Sequence, residues 1–239
     1  MANIVFPYMD LPENAQKEVL RTMDHKDLSA FSTLSRKSRN LVASLNIPAI
    51  HLRVTVRDSL LIEMKFPERQ YLNLEVNPAK WSYLYGKIQL YSNRTSTTTW
   101  RNPGISFREL IRHLCFIFNF STPSMLVFWS GDEIFGTKSA WNSLSGVLDY
   151  LIVSHDNSEQ FAQKILRLCL PTSKKLMLYR STPLIGPILF RHVSIQNLDA
   201  LHFVYPAQLT LDDLLFCNSS VICAVYNEIA QKTIKGGVH

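Results

Sequence analysis

Leu11-Pro12-Glu13-Asn14-Ala15-Gln16-Lys17-Glu18-Val19-Leu20-Arg21-Thr22-Met23-Asp24 is the stretch on which the architecture turns. Ala15, Val19, Leu20 and Met23 recur at helical spacing, with Gln16, Lys17, Glu18 and Arg21 between them. Pro12 suits the first helical position, where a missing N–H costs nothing. Asp24 is a good N-cap for a second helix, and Asp27 adds negative charge where the helix dipole favours it. Leu28, Phe31 and Leu34 form the apolar stripe of that helix. A third is predicted from about Ser35 to Leu45, burying Leu41, Val42 and Leu45 and stopped by Pro48. Helices this short are unstable alone, so they pack on one another or on a partner.

Downstream of Ile50 the period changes from helical to alternating. Leu52-Arg53-Val54-Thr55-Val56, Leu72-Asn73-Leu74-Glu75-Val76 and Ile88-Gln89-Leu90 alternate apolar and polar, and Leu60 to Phe66 reads as a further strand. Together they predict a small, mostly antiparallel sheet whose outward positions include Arg53, Arg57, Lys65 and Lys87. Residues 92–106, rich in threonine and holding Asn102-Pro103-Gly104, read as an exposed loop, and 105–118 as an amphipathic helix. Farther on, Leu126-Val127-Phe128, Leu151-Ile152-Val153, Leu176-Met177-Leu178 and Leu201-His202-Phe203 recur every 25 residues, and Val221-Ile222-Cys223 follows 20 later. Helix-like segments lie between them at 159–170, 184–193 and 209–216. This predicts a degenerate leucine-rich-repeat-like α/β region from about residue 121, although Gly131, Asp156, Ser181 and Pro206 stand where such repeats carry asparagine. An ordinary α+β domain with similar elements is the alternative. The concave face of a repeat sheet binds partners, so Ile152, Ser154, Met177, Tyr179, His202 and Val204 are candidate target-binding residues.

Composition narrows the functional classes. Apolar residues make up 46% and charged residues 18% of the 239, enough for a true core. The formal charge is +6, and most of the excess lies in 51–101, with 8 basic groups against 4 acidic. No run of five Lys or Arg occurs, so nucleic acid is not an expected partner. No apolar run approaches the ~20 residues that span a bilayer, so no membrane is expected either. The start of the sequence has neither the basic nor the apolar segment of a signal peptide, which predicts an intracellular protein of cytoplasm or nucleus. Cys115, Cys169, Cys217 and Cys223 show no CxxC pair and read as reduced core thiols. No cofactor or metal is expected, because the histidines lack ligand spacing and no P-loop, HExxH or GxSxG occurs. His155-Asp156 reads as a surface turn rather than part of a hydrolase, and the chain is not expected to be an enzyme.

Phe6-Pro7, Leu11-Pro12-Glu13, Val19-Leu20, Met23-Asp24, Asp27-Leu28, Phe31 and Leu34-Ser35-Arg36-Lys37 fall at the spacing of an F-box, without a gap from Leu11 to Lys37. With Ser38-Arg39-Asn40-Leu41-Val42, Ser44-Leu45-Asn46-Ile47 and the later Leu209-Thr210-Leu211-Asp212-Asp213-Leu214-Leu215, the chain resembles nematode F-box proteins that carry an F-box-associated type 2 domain. The resemblance implies an F-box at 4–48 and an F-box-associated, substrate-binding domain at 50–239. It further implies a substrate adaptor of an SCF-type cullin–RING ubiquitin ligase, docked on the ligase's linker subunit and holding an unknown protein target. Leu11, Pro12, Val19, Leu20, Leu28, Phe31, Leu34 and Ser35 form the candidate partner-binding set, some facing the partner and some holding the helices together. His25 stands where the family often has Pro, and Ser38 where Trp is common. Those departures leave a second possibility, an F-box-derived protein-binding scaffold no longer coupled to ubiquitin transfer.

Overall fold

The computed structural model describes residues 8–57, 59–76, 87–92, 96–101, 107–121, 123–129, 148–154, 157–179, 191, 193–204, 212 and 215–225. The chain divides into two compact units: residues 1–52 with 62–121, and 53–61 with 122–239. The N-terminal helices share a unit with the segment after residue 61, and the residues between belong to the other unit.

The first unit opens with α1 (Glu13–Arg21), α2 (His25–Ser32) and α3 (Arg36–Ala43). The caps explain the breaks between them. Asp24 Oδ1 accepts the Asp27 N–H at 2.8 Å, and Ser35 Oγ accepts the Ser38 N–H at 3.0 Å. Pro12 sits at the N-cap of α1, one place before the predicted position: its φ of −54° fits the ring, and its ψ of 144° keeps it outside the helix. Leu20, Leu28, Leu41 and Val42 fill the helical core. Across β2 (Leu60–Lys65), alternate residues Leu60, Ile62 and Met64 are buried. The strands β3 (Tyr71–Val76), β4 (Lys87–Ser92) and β5 (Ser96–Arg101) form an antiparallel ladder, with Leu74 opposite Leu90 and Gln89 opposite Thr99. β5 corrects the expectation of a loop over 92–106. Its threonines are β-branched, a preference for strand that their polarity masked, and its inner edge pairs with β4. The helix α4 (Phe107–Ile117) closes the unit, burying Phe107, Leu110, Ile111, Leu114 and Ile117.

The second unit is a parallel ladder. It holds β6 (Met125–Phe128), β7 (Leu148–Val153), β8 (Ser173–Tyr179), β9 (Ala200–Val204) and β10 (Ile222–Val225). The 25-residue spacing is their register: Leu126, Leu151, Leu176 and Leu201 lie side by side, with Ile222 next. β1 (His51–Val56) was expected in the antiparallel sheet. It is the neighbour of β2 in the strand order, and its residues 53–56 also join this ladder, parallel to β6, with Val54 beside Leu126. The helix α5 (Glu159–Cys169), capped by Ser158, buries Phe161, Ala162, Ile165 and Leu166. Asn157, one place beyond the expected repeat position, is buried and donates from Nδ2 to Phe128 O at 3.0 Å and Ser154 O at 2.9 Å. One amide thus ties the ends of two neighbouring strands. The predicted helix at 184–193 lies mostly outside the described residues, as do His155-Asp156 and most of 209–216.

Candidate partner-binding surfaces

The structure sorts the eight residues of the helical set. Leu20 and Leu28 are 0% and 1% exposed and have no surface to offer a partner, so they are core. Each sits on the face of its helix that packs inward, and burying a leucine there contributes about 1.5–3 kcal/mol. Phe31 is half-buried, its ring edge-on to Tyr8 at 5.5 Å. Pro12, Val19, Leu34 and Ser35 are exposed, and Leu11 is half-buried. The Ser35 hydroxyl is also engaged, because it caps α3.

Leu11 is held in place by its neighbours. Its carbonyl accepts from Gln16 Nε2 at 2.8 Å, and the Gln16 carbonyl accepts from the Tyr8 hydroxyl at 2.8 Å. Beside it lies an open cavity of about 600 Å³ between α1 and α3, lined by Leu11, Glu13, Gln16, Lys37, Asn40 and Leu41 among others. Apolar floor and mixed-charge rim are the makings of a protein contact.

The two departures from the family pattern turn inward. Ser38 is fully buried, and its hydroxyl donates to Ser35 O at 3.0 Å. The His25 ring stacks on Phe66 at 3.8 Å, with Phe118 at 5.9 Å. Burial pushes its imidazole below the ordinary value, and Asp24 opposes that only in part. Nearby, Ser32 Oγ lies 2.6 Å from Nε2 of His113 and donates to Ser29 O at 2.6 Å. A hydroxyl has one proton, so the imidazole is the donor to Ser32 and carries hydrogen on Nε2. Burial, then the Arg39 charge, holds His113 down to about 4. Ser32 is 1% exposed, so this pair ties α2 to α4 and gives no nucleophile a substrate could reach. Eighty-one residues separate the two, and no local motif could have announced them.

On the second unit, the register places Ile152, Met177 and His202 in one row, with Tyr179 beside Val204 in another. Met177, Tyr179, His202 and Val204 are half-buried. Ser154 is fully buried, its N–H bound to Phe128 O at 2.7 Å. Ile152 retains 8% exposure. Sequence reasoning missed the aromatic and basic neighbours on this ladder. Lys175 Nζ stands over the Tyr150 ring at 5.2 Å, Tyr150 lies 6.1 Å from His202, and Trp129 lies 5.5 Å from Tyr179 with Arg57 over it at 5.3 Å. The 25-residue repeat located the strands by residues 126–128, 151–153, 176–178 and 201–203, and Trp129, Tyr150, Lys175 and Tyr179 lie directly beside those triplets. Trp129 Nε1 is buried without a hydrogen-bond partner among the described residues.

Among the described residues no group of three His, Cys, Asp or Glu is placed to hold a metal, and no helix is long and apolar enough to cross a membrane. No curated protein and no solved structure matches the chain. Two family models do: the F-box domain over residues 9–49 and the F-box associated family over 189–235. The second match covers β9 and β10 rather than the whole of 50–239. The helices α1, α2 and α3 therefore lie in a segment that matches the F-box domain, and β9 and β10 in one that matches the F-box associated family.

Proposed function

We propose that the protein is a substrate-recognition adaptor of an SCF-type cullin–RING ubiquitin ligase. The observation that carries this is the surface of the helices that match the F-box model, where Pro12, Val19 and Leu34 remain uncovered and Leu11 lines a cavity of about 600 Å³, while Leu20 and Leu28 are buried in the core. Leu11, Pro12, Val19, Leu34 and Ser35 are the residues that dock on the linker subunit. A three-helix unit with so much apolar surface gains stability when a partner covers it. The target is a protein held on the parallel ladder of the second unit, a degenerate leucine-rich-repeat-like sheet, by Met177, Tyr179, His202 and Val204 with their aromatic neighbours. Such a role is intracellular and needs no cofactor or chemistry from this chain.

The test is titration of the full chain with the purified linker subunit. Replacing Leu11 and Pro12 by alanine should weaken binding by at least about tenfold, each tenfold being 1.4 kcal/mol, and leave the circular dichroism intact. Undiminished binding by that variant rejects the docking surface. The scaffold reading, without ubiquitin transfer, draws on His25 and Ser38. Both are packed inward and remove no outward contact, which favours the coupled adaptor. Ubiquitination of a captured target in a reconstituted ligase separates the two.

A further inference from the structure

A second cavity, of about 450 Å³, lies between α3 and α4 and is unrelated to the docking surface. Its described lining is Arg39 from α3 and Glu109, Arg112, His113 and Phe116 from α4. The four α4 positions are spaced i, i+3, i+4, i+7, so they form one stripe, on the side of the helix away from Leu110, Ile111 and Leu114.

Three features of the lining point to an anion. First, the Arg39 guanidinium stands over the Phe116 ring at 4.9 Å, and its Nε is buried without a hydrogen-bond partner among the described residues. A buried donor of a permanent cation without an acceptor is a costly arrangement that a ligand oxygen relieves. Second, Arg112 is exposed at the rim and forms no ion pair among the described residues. Third, the Arg39 charge reaches into the cavity strongly enough to disfavour protonation of His113, alongside burial. Two guanidinium charges less the Glu109 carboxylate leave the described lining with one positive charge, His113 being neutral. That balance suits a single carboxylate better than a doubly charged phosphate. The planar guanidinium fork matches a carboxylate in shape, and the 48% exposed Phe116 face offers a wall for the carbon stem behind it. The volume admits whole side chains rather than one ion, and the chain has no basic stripe along which a nucleic-acid backbone could continue.

We propose that this cavity is a binding site for an acidic side chain of a bound protein segment, its carboxylate taken by Arg39 and Arg112 and its stem lying on Phe116. The site does not depend on linker-subunit docking.

The test is calorimetric titration of the full chain, at low salt, with a capped hexapeptide of alternating glutamate and leucine. Its glutamine counterpart and its phosphoserine counterpart serve as the other arms. The glutamate peptide should bind at least about tenfold more tightly than the glutamine peptide, as a charge-assisted pair demands. Arg112→Gln and Arg39→Gln should each remove most of that difference, and Arg39→Lys part of it, because a lysine keeps the charge and loses the fork. Arg112 is at the surface, so Arg112→Gln remains informative even where Arg39→Gln perturbs folding. Equal affinity for the glutamate and glutamine peptides overturns the proposal. So does binding of the phosphoserine peptide alone, or unchanged glutamate binding in Arg112→Gln.

Discussion

Leu20 and Leu34 bear the same side chain, yet one is fully buried and the other 74% exposed. Leu20→Ala should therefore cost about 2–5 kcal/mol in urea unfolding, the usual range for a buried leucine. Leu34→Ala should stay within about 0.5 kcal/mol of wild type while weakening linker-subunit binding. The histidines are a second residue-scale matter. His113, held down to about 4, and His25, lowered in the same direction, are neutral in the folded chain, whereas an unfolded imidazole takes a proton near the ordinary 6.5. Between those values the unfolded state binds more protons, so stability falls as pH falls. The contribution is complete above about 6.5 and is lost as pH drops towards 4. Thermal melts from pH 7 to 4.5 should show a falling midpoint, and His113→Asn should flatten the decline. Cys115 and Cys169, pushed up by burial to about 11 and about 12, carry thiols rather than thiolates and should resist alkylation until the chain unfolds.

At the level of elements, caps and strand ends carry the testable weight. Asp24→Ala removes the acceptor for the Asp27 N–H and should cost about 1 kcal/mol. Asn157→Ala strips the bridge between the ends of β6 and β7, leaving the Ser154 carbonyl without that donor, and should cost about 1–3 kcal/mol by urea unfolding. The three N-terminal helices were legible because their stripes and caps are local. The leucines at 126, 151, 176 and 201 were legible because a parallel register repeats what one strand shows. Three things were hidden. Polarity disguised β5, whose strand preference lies in β-branching. The parallel partner of β1 is some seventy residues away, and alternation alone says nothing of what else a strand pairs with. Arg39, Arg112 and His113 gather only once α3 meets α4, so the cavity they line has no signature in either helix alone.

For the molecule as a whole, the F-box helices are not a freestanding module. His25 stacks on Phe66, Ser32 pairs with His113, and the Ala49 N–H is bound by Phe118 O at 3.1 Å, all within the first unit. A fragment of residues 1–49 is therefore expected to show much less helical circular dichroism than those residues contribute in the full chain. A partner that binds only the folded state raises its stability by mass action. Linker subunit at a hundredfold excess over Kd should add about 2.7 kcal/mol to unfolding, and nothing of that size to the Leu11/Pro12 double alanine variant.

The excursion of residues 53–61 into the ladder, before the first unit is finished, has an outcome for ancestry as much as for folding. Neither half can be cut out, swapped or duplicated as one uninterrupted stretch of gene. Recombination that severs the chain at residue 50 would leave the front portion without its later strands and helix.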